Sequence, residues 1–320
     1  MTLWMGIVAG LAMLAVGGDV LVRGATSAAR QLGVSPLLVG LTLVGFGTST
    51  PELVTSLQAA FADSPGIAVG NVVGSNISNS LLILGLTAVV APLAVDRRAF
   101  RRDSIILVLA TGGLVWACLT GFLTREMGLA GIGGLAVYIL LVWLTERWRK
   151  GPEGERIELG AETRSRATGN LGLALFMAAG GIGVTIFGAR LLVEGAIALA
   201  RGLGVSDTLV GLTIVAVGTS LPELVTSVVA AARKQGEVAL GNVLGSNLYN
   251  ILGILGVTAA IRPVAVPPEI VRLDNWVLAA ATALMILFAR RRGKITRGEG
   301  ALMVLAYGGY MAWLAWTAGL

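Results

Sequence analysis

The chain has no histidine and one cysteine, Cys118, in 320 residues. Without histidine there is no His-assisted serine or cysteine nucleophile, no His-Glu-x-x-His zinc site and no haem held by histidine. One cysteine allows no internal disulfide, and its apolar surroundings make it a small packing hydrophobe. No Gly-x4-Gly-Lys-[Ser/Thr] run occurs, which excludes a phosphate-binding loop for ATP. Charge is scarce too. Acidic and basic residues make up 13% of the chain, about half the share in a soluble domain. Hydrophobic residues reach 55% and mean hydropathy is +0.83. Uncharged runs of this length predict a polytopic membrane protein. An intramembrane protease would need a serine dyad, a zinc motif or paired aspartates, and Asp19 is the one candidate intramembrane aspartate. These absences argue against an enzyme and give no sign of a resident cofactor.

Ten apolar segments are expected, roughly 3–30, 36–61, 66–92, 104–122, 127–146, 171–201, 206–231, 237–261, 275–290 and 299–318. The first lacks a basic flank and runs on past Leu21, so it reads as a spanning helix and not a signal peptide. Five segments lie on each side of a polar stretch, Arg147 to Asn170, which reads as a linker. Lysine and arginine test this layout. With the N-terminus outside, cytoplasmic connections carry 18 of the 24 basic residues and the opposite loops carry four. That bias places both termini outside and the linker in the cytoplasm of a cell, or inner, membrane. It also accounts for the net charge of +6 without nucleic acid. Nothing identifies a protein partner; the bilayer is the expected surrounding.

The 45 glycines suit close helix packing and helix breaks. Two copies of one motif carry many of them. Residues 33–56 align with 204–227 at an offset of 171, with 18 of 24 positions identical. Residues 67–80 align with 238–251 at the same offset, with 8 of 14 identical. Two five-helix repeats follow, 1–146 and 171–320, with motifs at 40–80 and 211–251. Five is odd, so the second copy enters the membrane from the other side. The expected fold class is an all-α membrane protein of ten helices in two inverted repeats. Its helices break at the midplane, an arrangement suited to alternating access.

Each motif holds a lone glutamate, Glu52 or Glu223, within apolar sequence. An intramembrane carboxylate is costly and marks an ion pathway by default. Pro51 and Pro222 remove a helix N–H, and Gly47 and Gly218 let the chain break. The carbonyls of Gly45 and Ala216 are expected to lose their partners and face a cation. Thr48 and Ser49 share a helix face with Glu52; Thr219 and Ser220 do so with Glu223. On the next helix, Asn71, Ser75 and Asn79 form one stripe, and Asn242, Ser246 and Asn250 form its copy. This oxygen-only set suits Ca²⁺ and Na⁺. Ser75 and Thr55 alone would read as packing residues. Asn76 and Asn247 point off the stripe and read as interhelical hydrogen-bonders. Asp19–Arg23 and Arg190–Glu194 read as intrahelical pairs. Thr50, where the other copy has Leu221, reads as a packing difference. A cation channel could use the same oxygens, although the inverted duplication favours a carrier.

The duplicated Gly-Thr-Ser-x-Pro-Glu and Gly-Asn-Val-x-Gly-Ser-Asn-x-x-Asn runs closely resemble the alpha repeats of the calcium/cation antiporter superfamily. Over its whole length the chain resembles a prokaryotic sodium/calcium exchanger. The resemblance implies Na⁺ for Ca²⁺ exchange. It makes Glu52 and Glu223 the centre of a Ca²⁺ site. Thr48, Ser49, Thr219 and Ser220 then flank it with oxygens for Na⁺, and Asn79, Asn250, Ser75 and Ser246 line the same sites. Asn250 stands where potassium-dependent exchangers carry aspartate, which argues against K⁺ dependence. Proton/calcium exchangers share the glutamates in a different Gly-Asn-Ala-x-Glu context and are the alternative.

Overall fold

The computed structural model describes residues 3–149, 170–202 and 216–317. The linker expected over 147–170 falls almost wholly outside the described residues, as do 206–215 of the seventh expected segment, 206–231. The described chain is overwhelmingly helical. In the first half, α1 spans Leu3–Leu32. The second segment is broken into α2, Pro36–Thr48, and α3, Thr50–Phe61, which bend by 44°. Next come α4, Pro65–Val90, α5, Arg97–Leu119, and α6, Arg125–Arg149. The second half repeats this order: α7, Leu171–Gly202, a short turn α8, Ala216–Gly218, and α9, Leu221–Ala232. It continues with α10, Gly236–Ile261, α11, Ile270–Arg292, and α12, Arg297–Thr317. Seven of these helices are long and apolar enough to cross a membrane, and the bent pair α2–α3 adds an eighth.

Burial runs opposite to that of a soluble domain. Trp4, Val8, Phe176, Leu305 and Trp316 are exposed, whereas Thr48, Ser49, Glu52, Asn79, Glu223 and Asn250 are buried. An apolar exterior around a polar interior is what a lipid solvent requires.

Helices α1 and α7 lie together along their whole length. The glycines fix the register. A Cβ on Gly10 would strike the Leu192 backbone, one on Gly17 would strike Thr185, and one on Gly24 would strike Ala178. From the other side, Gly181 abuts Leu21, Gly188 abuts Leu14 and Gly195 abuts Ile7. As numbers rise along α1 they fall along α7, so the two helices are antiparallel. A second close crossing joins α2 to α10, where Gly241 sits against the Leu37 carbonyl and Gly245 against that of Leu41. Small residues are the usual means of bringing membrane helices into contact.

Two short antiparallel pairs modify the all-α expectation. β1, Leu93–Ala94, pairs with β4, Lys294–Ile295; β2, Phe122–Leu123, pairs with β3, Val264–Ala265. Each pair joins a loop of one half to a loop of the other. Helix α5 also starts earlier than expected. Asp96 caps it, accepting from the N–H groups of Arg98 at 2.8 Å and Ala99 at 3.3 Å. Arg97, Arg98, Arg101 and Arg102 therefore belong to its first turns and not to a loop. Arginine stems can cover apolar surface while their heads reach water, so charge marks the helix end poorly.

The seam gives a contrast between neighbouring glycines. A Cβ on Gly181 would lie 2.5 Å from the Leu21 backbone nitrogen, whereas Gly180 has open space. Gly181→Ala should destabilise the protein by about 1–3 kcal/mol through overpacking. Gly180→Ala should leave the unfolding temperature in detergent unchanged or slightly raised. Equal unfolding temperatures for the two variants would contradict the seam.

Candidate ion-binding site

The break between α2 and α3 starts at Pro51. Proline lacks the N–H that would bond the Gly47 carbonyl four residues back. Thr50 supplies a replacement: its Oγ1 donates to the Gly47 carbonyl at 2.9 Å. Thr50 is thus a break-sealing residue, not a packing difference, and Leu221 has no hydroxyl for the same task. Beyond the break, Glu52 and Glu223 each sit in the first turn of a helix, α3 and α9. Helix N-termini carry partial positive charge, which favours a carboxylate there.

Both glutamates are 1% exposed. Their carboxylates are near enough for their charges to interact. Each half reaches into the other. Ser49 Oγ donates to Glu223 Oε1 at 2.8 Å. Thr48 Oγ1 donates to Asn242 Oδ1 at 3.3 Å and to its own Val44 carbonyl at 3.1 Å. Ser246 Oγ donates to the Gly45 carbonyl at 3.2 Å, and that carbonyl also accepts from Ser49 N–H at 3.3 Å. The Gly45 carbonyl is therefore not the partnerless group expected from the proline: the missing N–H falls two residues later, at Gly47. Ala216, its repeat counterpart, opens α8.

Asn71 and Asn242 have a structural task that their stripe did not reveal. Asn71 Nδ2 donates to the Glu52 carbonyl at 3.0 Å and to Ser56 Oγ at 2.9 Å. Asn242 Nδ2 donates to the Glu223 carbonyl at 3.2 Å and to Ser227 Oγ at 2.9 Å. The two asparagines clamp the glutamate-bearing turns to the following helices. Their common offset of 19 residues from the glutamates was a usable signal. Asn247 does bond across helices, donating to Ser80 at 2.9 Å, whereas Asn76 bonds back to Val72 on its own helix at 2.7 Å. Phe46 stacks on Tyr249 with ring centroids 4.5 Å apart, a cross-half contact beside Asn250 that sequence spacing did not flag.

Helices α4 and α10 widen to π geometry at Asn79–Ile83 and Tyr249–Ile254. Such bulges recur at functional sites, and here each includes the last asparagine of the motif. Several buried atoms have no hydrogen-bond partner among the described residues: Glu52 Oε2, Glu223 Oε2, Asn79 Oδ1, and Oδ1 and Nδ2 of Asn250. Unmet buried oxygens are costly unless something binds them. Ser75 and Ser246 are buried alongside, and Thr219 is half-buried. Among the described residues no group of three or more His, Cys, Asp or Glu gathers. The cluster is one carboxylate pair among neutral oxygens, a donor set that fits hard cations.

Fold and cluster together define a multi-pass membrane protein with a buried carboxylate pair at two helix breaks. The profile of the sodium/calcium exchanger protein family matches residues 2–145 and 173–316, and the chain belongs to that family. It is 37% identical over 316 residues to the putative antiporter CaxA of Alkalimonas amylolytica, covering 95% of this chain and 96% of that one. It is 32% identical to the sodium/calcium exchanger MaX1 of Methanosarcina acetivorans, covering 93% and 94%. The sodium-calcium exchanger NCX_Mj, in a structure soaked with 2.5 mM Na⁺ and 0.1 mM Ca²⁺, superposes with a TM-score of 0.82 at 31% identity, covering 97% of each chain.

Thr50 and Pro51 should be coupled. Thr50→Val removes this bond to the Gly47 carbonyl and should cost about 0.5–1.5 kcal/mol. In a Pro51→Ala background the N–H returns and the same change should cost little. A double-mutant cycle on thermal unfolding measures this, and additive losses would sever Thr50 from the break.

Proposed function

We propose that this chain is a secondary antiporter exchanging Na⁺ for Ca²⁺ by alternating access. The observation that carries the reading is the pair of buried glutamates, one from each half, among oxygens that lack partners. Two ionised carboxylates hold a charge near −2. One Ca²⁺ balances it, and so do Na⁺ ions spread over adjacent oxygens. Ca²⁺ would sit between Glu52 and Glu223. Thr48, Ser49, Thr219, Ser220, Ser75, Ser246, Asn79 and Asn250 supply the neutral oxygens, with the backbone carbonyl of Ala216. Competition for shared ligands couples the two fluxes. An empty site would leave charge unbalanced in low dielectric, which opposes the transition and enforces exchange.

Ten spans in two inverted repeats suit this reading. The antiparallel run of α1 against α7, the first helices of the two halves, supports inversion. So does the strand pairing, β1 with β4 and β2 with β3. In the proposed orientation β1 and β4 lie on the cytoplasmic side with the linker, and both termini lie outside. Inward flow of Na⁺ would then extrude Ca²⁺. The named relatives agree on the ions: MaX1 is a sodium/calcium exchanger, and NCX_Mj has been soaked with Na⁺, Ca²⁺ and Sr²⁺.

Reconstituted protein decides the counter-ion. Radiolabelled Ca²⁺ uptake into vesicles should follow an outward Na⁺ gradient and should not follow a pH or K⁺ gradient. Uptake driven by protons and indifferent to Na⁺ would establish the proton alternative, and uptake with no counter-ion would establish a channel.

The glutamates should be indispensable. Glu52→Gln and Glu223→Gln keep the shape but remove a charge-assisted ligand worth at least ~1.5–3 kcal/mol. Ca²⁺ transport should fall more than about tenfold with unfolding temperature retained. Normal exchange by either folded variant would remove that residue from the site.

Asn250 is neutral and cannot hold a titrating proton. Asn250→Asp adds a carboxylate that protons contest, so Na⁺-driven Ca²⁺ flux should become more sensitive to acid. Superimposable pH profiles for the variant and the parent would place Asn250 outside the pathway.

A further inference from the structure

Asp19, in the middle of α1, is held twice. Arg23, one turn on, pairs with it at 2.7 Å, and Arg233, which caps α9, pairs with its other oxygen. The second pair ties the α1–α7 unit to the end of a glutamate-bearing helix. Shifted by 171, the pattern recurs with signs reversed. Asp19 becomes Arg190 and Arg23 becomes Glu194, and these also pair at 2.7 Å across one turn. Lys234, beside Arg233, becomes Asp63. The two helix ends are built alike, since Asp63 and Lys234 both take left-handed backbone, φ 54° and 59°. What differs is the bond between helices. Asp19 reaches its helix end, whereas Arg190 stays with Glu194 and Asp63 bonds Arg262.

We infer that Arg190 and Asp63 form a second latch, made when the Asp19–Arg233 latch is broken. The α1–α7 pair is then held to α9 in one access state and to α3 in the other. This rests on the alternating-access reading. In an inverted duplicate, the opposite access state arises when the two halves exchange conformations. Under that exchange Asp19–Arg233 maps onto Arg190 with Ala62 and its neighbour Asp63. The sign reversal adds selectivity. Asp19 is repelled by Asp63, and Arg190 by Arg233 and Lys234, so neither residue can latch to the wrong end. The Asp63 side chain is 79% exposed, and a carboxylate can hold two arginines, as Asp19 already does. In the proposed orientation the closed latch lies at the cytoplasmic end and the open one at the outer end.

Cysteine pairs test the inference in the full chain with Cys118→Ala and a protease site inserted between residues 150 and 169. Asp19→Cys with Arg233→Cys, and Asp63→Cys with Arg190→Cys, each link the two halves across that cut. After mild oxidation and cleavage, either pair should keep the halves together on a denaturing gel. A four-cysteine variant should form one link or the other, not both. Adding Asp19→Asn to the 63–190 pair should raise its linking about two- to fivefold, the shift expected of one partly exposed ion pair. The swap Asp19→Arg with Arg233→Asp should bring it back to its starting level, which separates the charge effect from misfolding. No 63–190 link in a folded variant, or both links in one molecule, overturns the latch. The fragments report pairing whatever the protein carries. Exclusive links in protein that does not exchange Na⁺ for Ca²⁺ would uphold the latch and refute the exchange reading.

Discussion

Two carboxylates buried in a hydrocarbon-solvated bundle are the constraint around which this chain is organised. Among the described residues neither Glu52 nor Glu223 is paired with a cation, and the ion pairs found there involve other acids. An arginine in that place would neutralise the site and close it to exchangeable ions. Instead the surroundings are neutral dipoles, namely hydroxyls, amides and the N-terminal turns of α3 and α9. Such groups lower the cost of the charge without cancelling it. The charge left over is what a transported cation can satisfy.

Placing a carboxylate at a helix N-terminus inside a membrane requires an interrupted helix, and an interruption exposes backbone groups that lipid cannot solvate. The structure answers several of these locally. Thr50 covers the carbonyl that Pro51 abandons, while Asn71 and Asn242 hold the carbonyls of the two glutamates. The π turns at Asn79 and Asn250 change the local register of the neighbouring helices. The two halves are not identical in these devices: the second has Leu221 in place of Thr50. The Gly218 end of the break thus lacks the hydroxyl seal of its counterpart, a difference that separates the two breaks chemically although their glutamates match.

Much of this was legible from the chain itself. The glutamates, the asparagines and the duplication are sequence facts, because an offset of 171 needs no coordinates. The intrahelical pairs Asp19–Arg23 and Arg190–Glu194 follow from four-residue spacing. What could not be read was anything depending on which helices touch. Asn71 lies on a polar stripe with Ser75 and Asn79, but only tertiary contact shows that it clamps Glu52 and does not face the others' space. Arg233 reads as a loop cation until α9 is seen ending beside α1. The start of α5 was missed because four arginines look like a loop, whereas the Asp96 cap and their long stems let a helix hold them.

Contacts at the centre cross between the halves. Ser49 of the first half serves Glu223 of the second, Thr48 serves Asn242, and Ser246 returns to Gly45. The turn that bears Glu223 is thus completed by the first half and the helix end before the Glu52 break by the second, so neither half assembles the cluster alone. Such a site exists only at one set of relative positions of the two breaks. An ion that prefers this set must therefore bias how the halves sit, by as much as its affinities for the alternative arrangements differ. Had each half carried a self-contained site, occupancy would leave their relation unchanged and binding would be idle. Interlocking the ligands makes the occupant and the arrangement of the halves a single variable, which a carrier needs and a storage site does not.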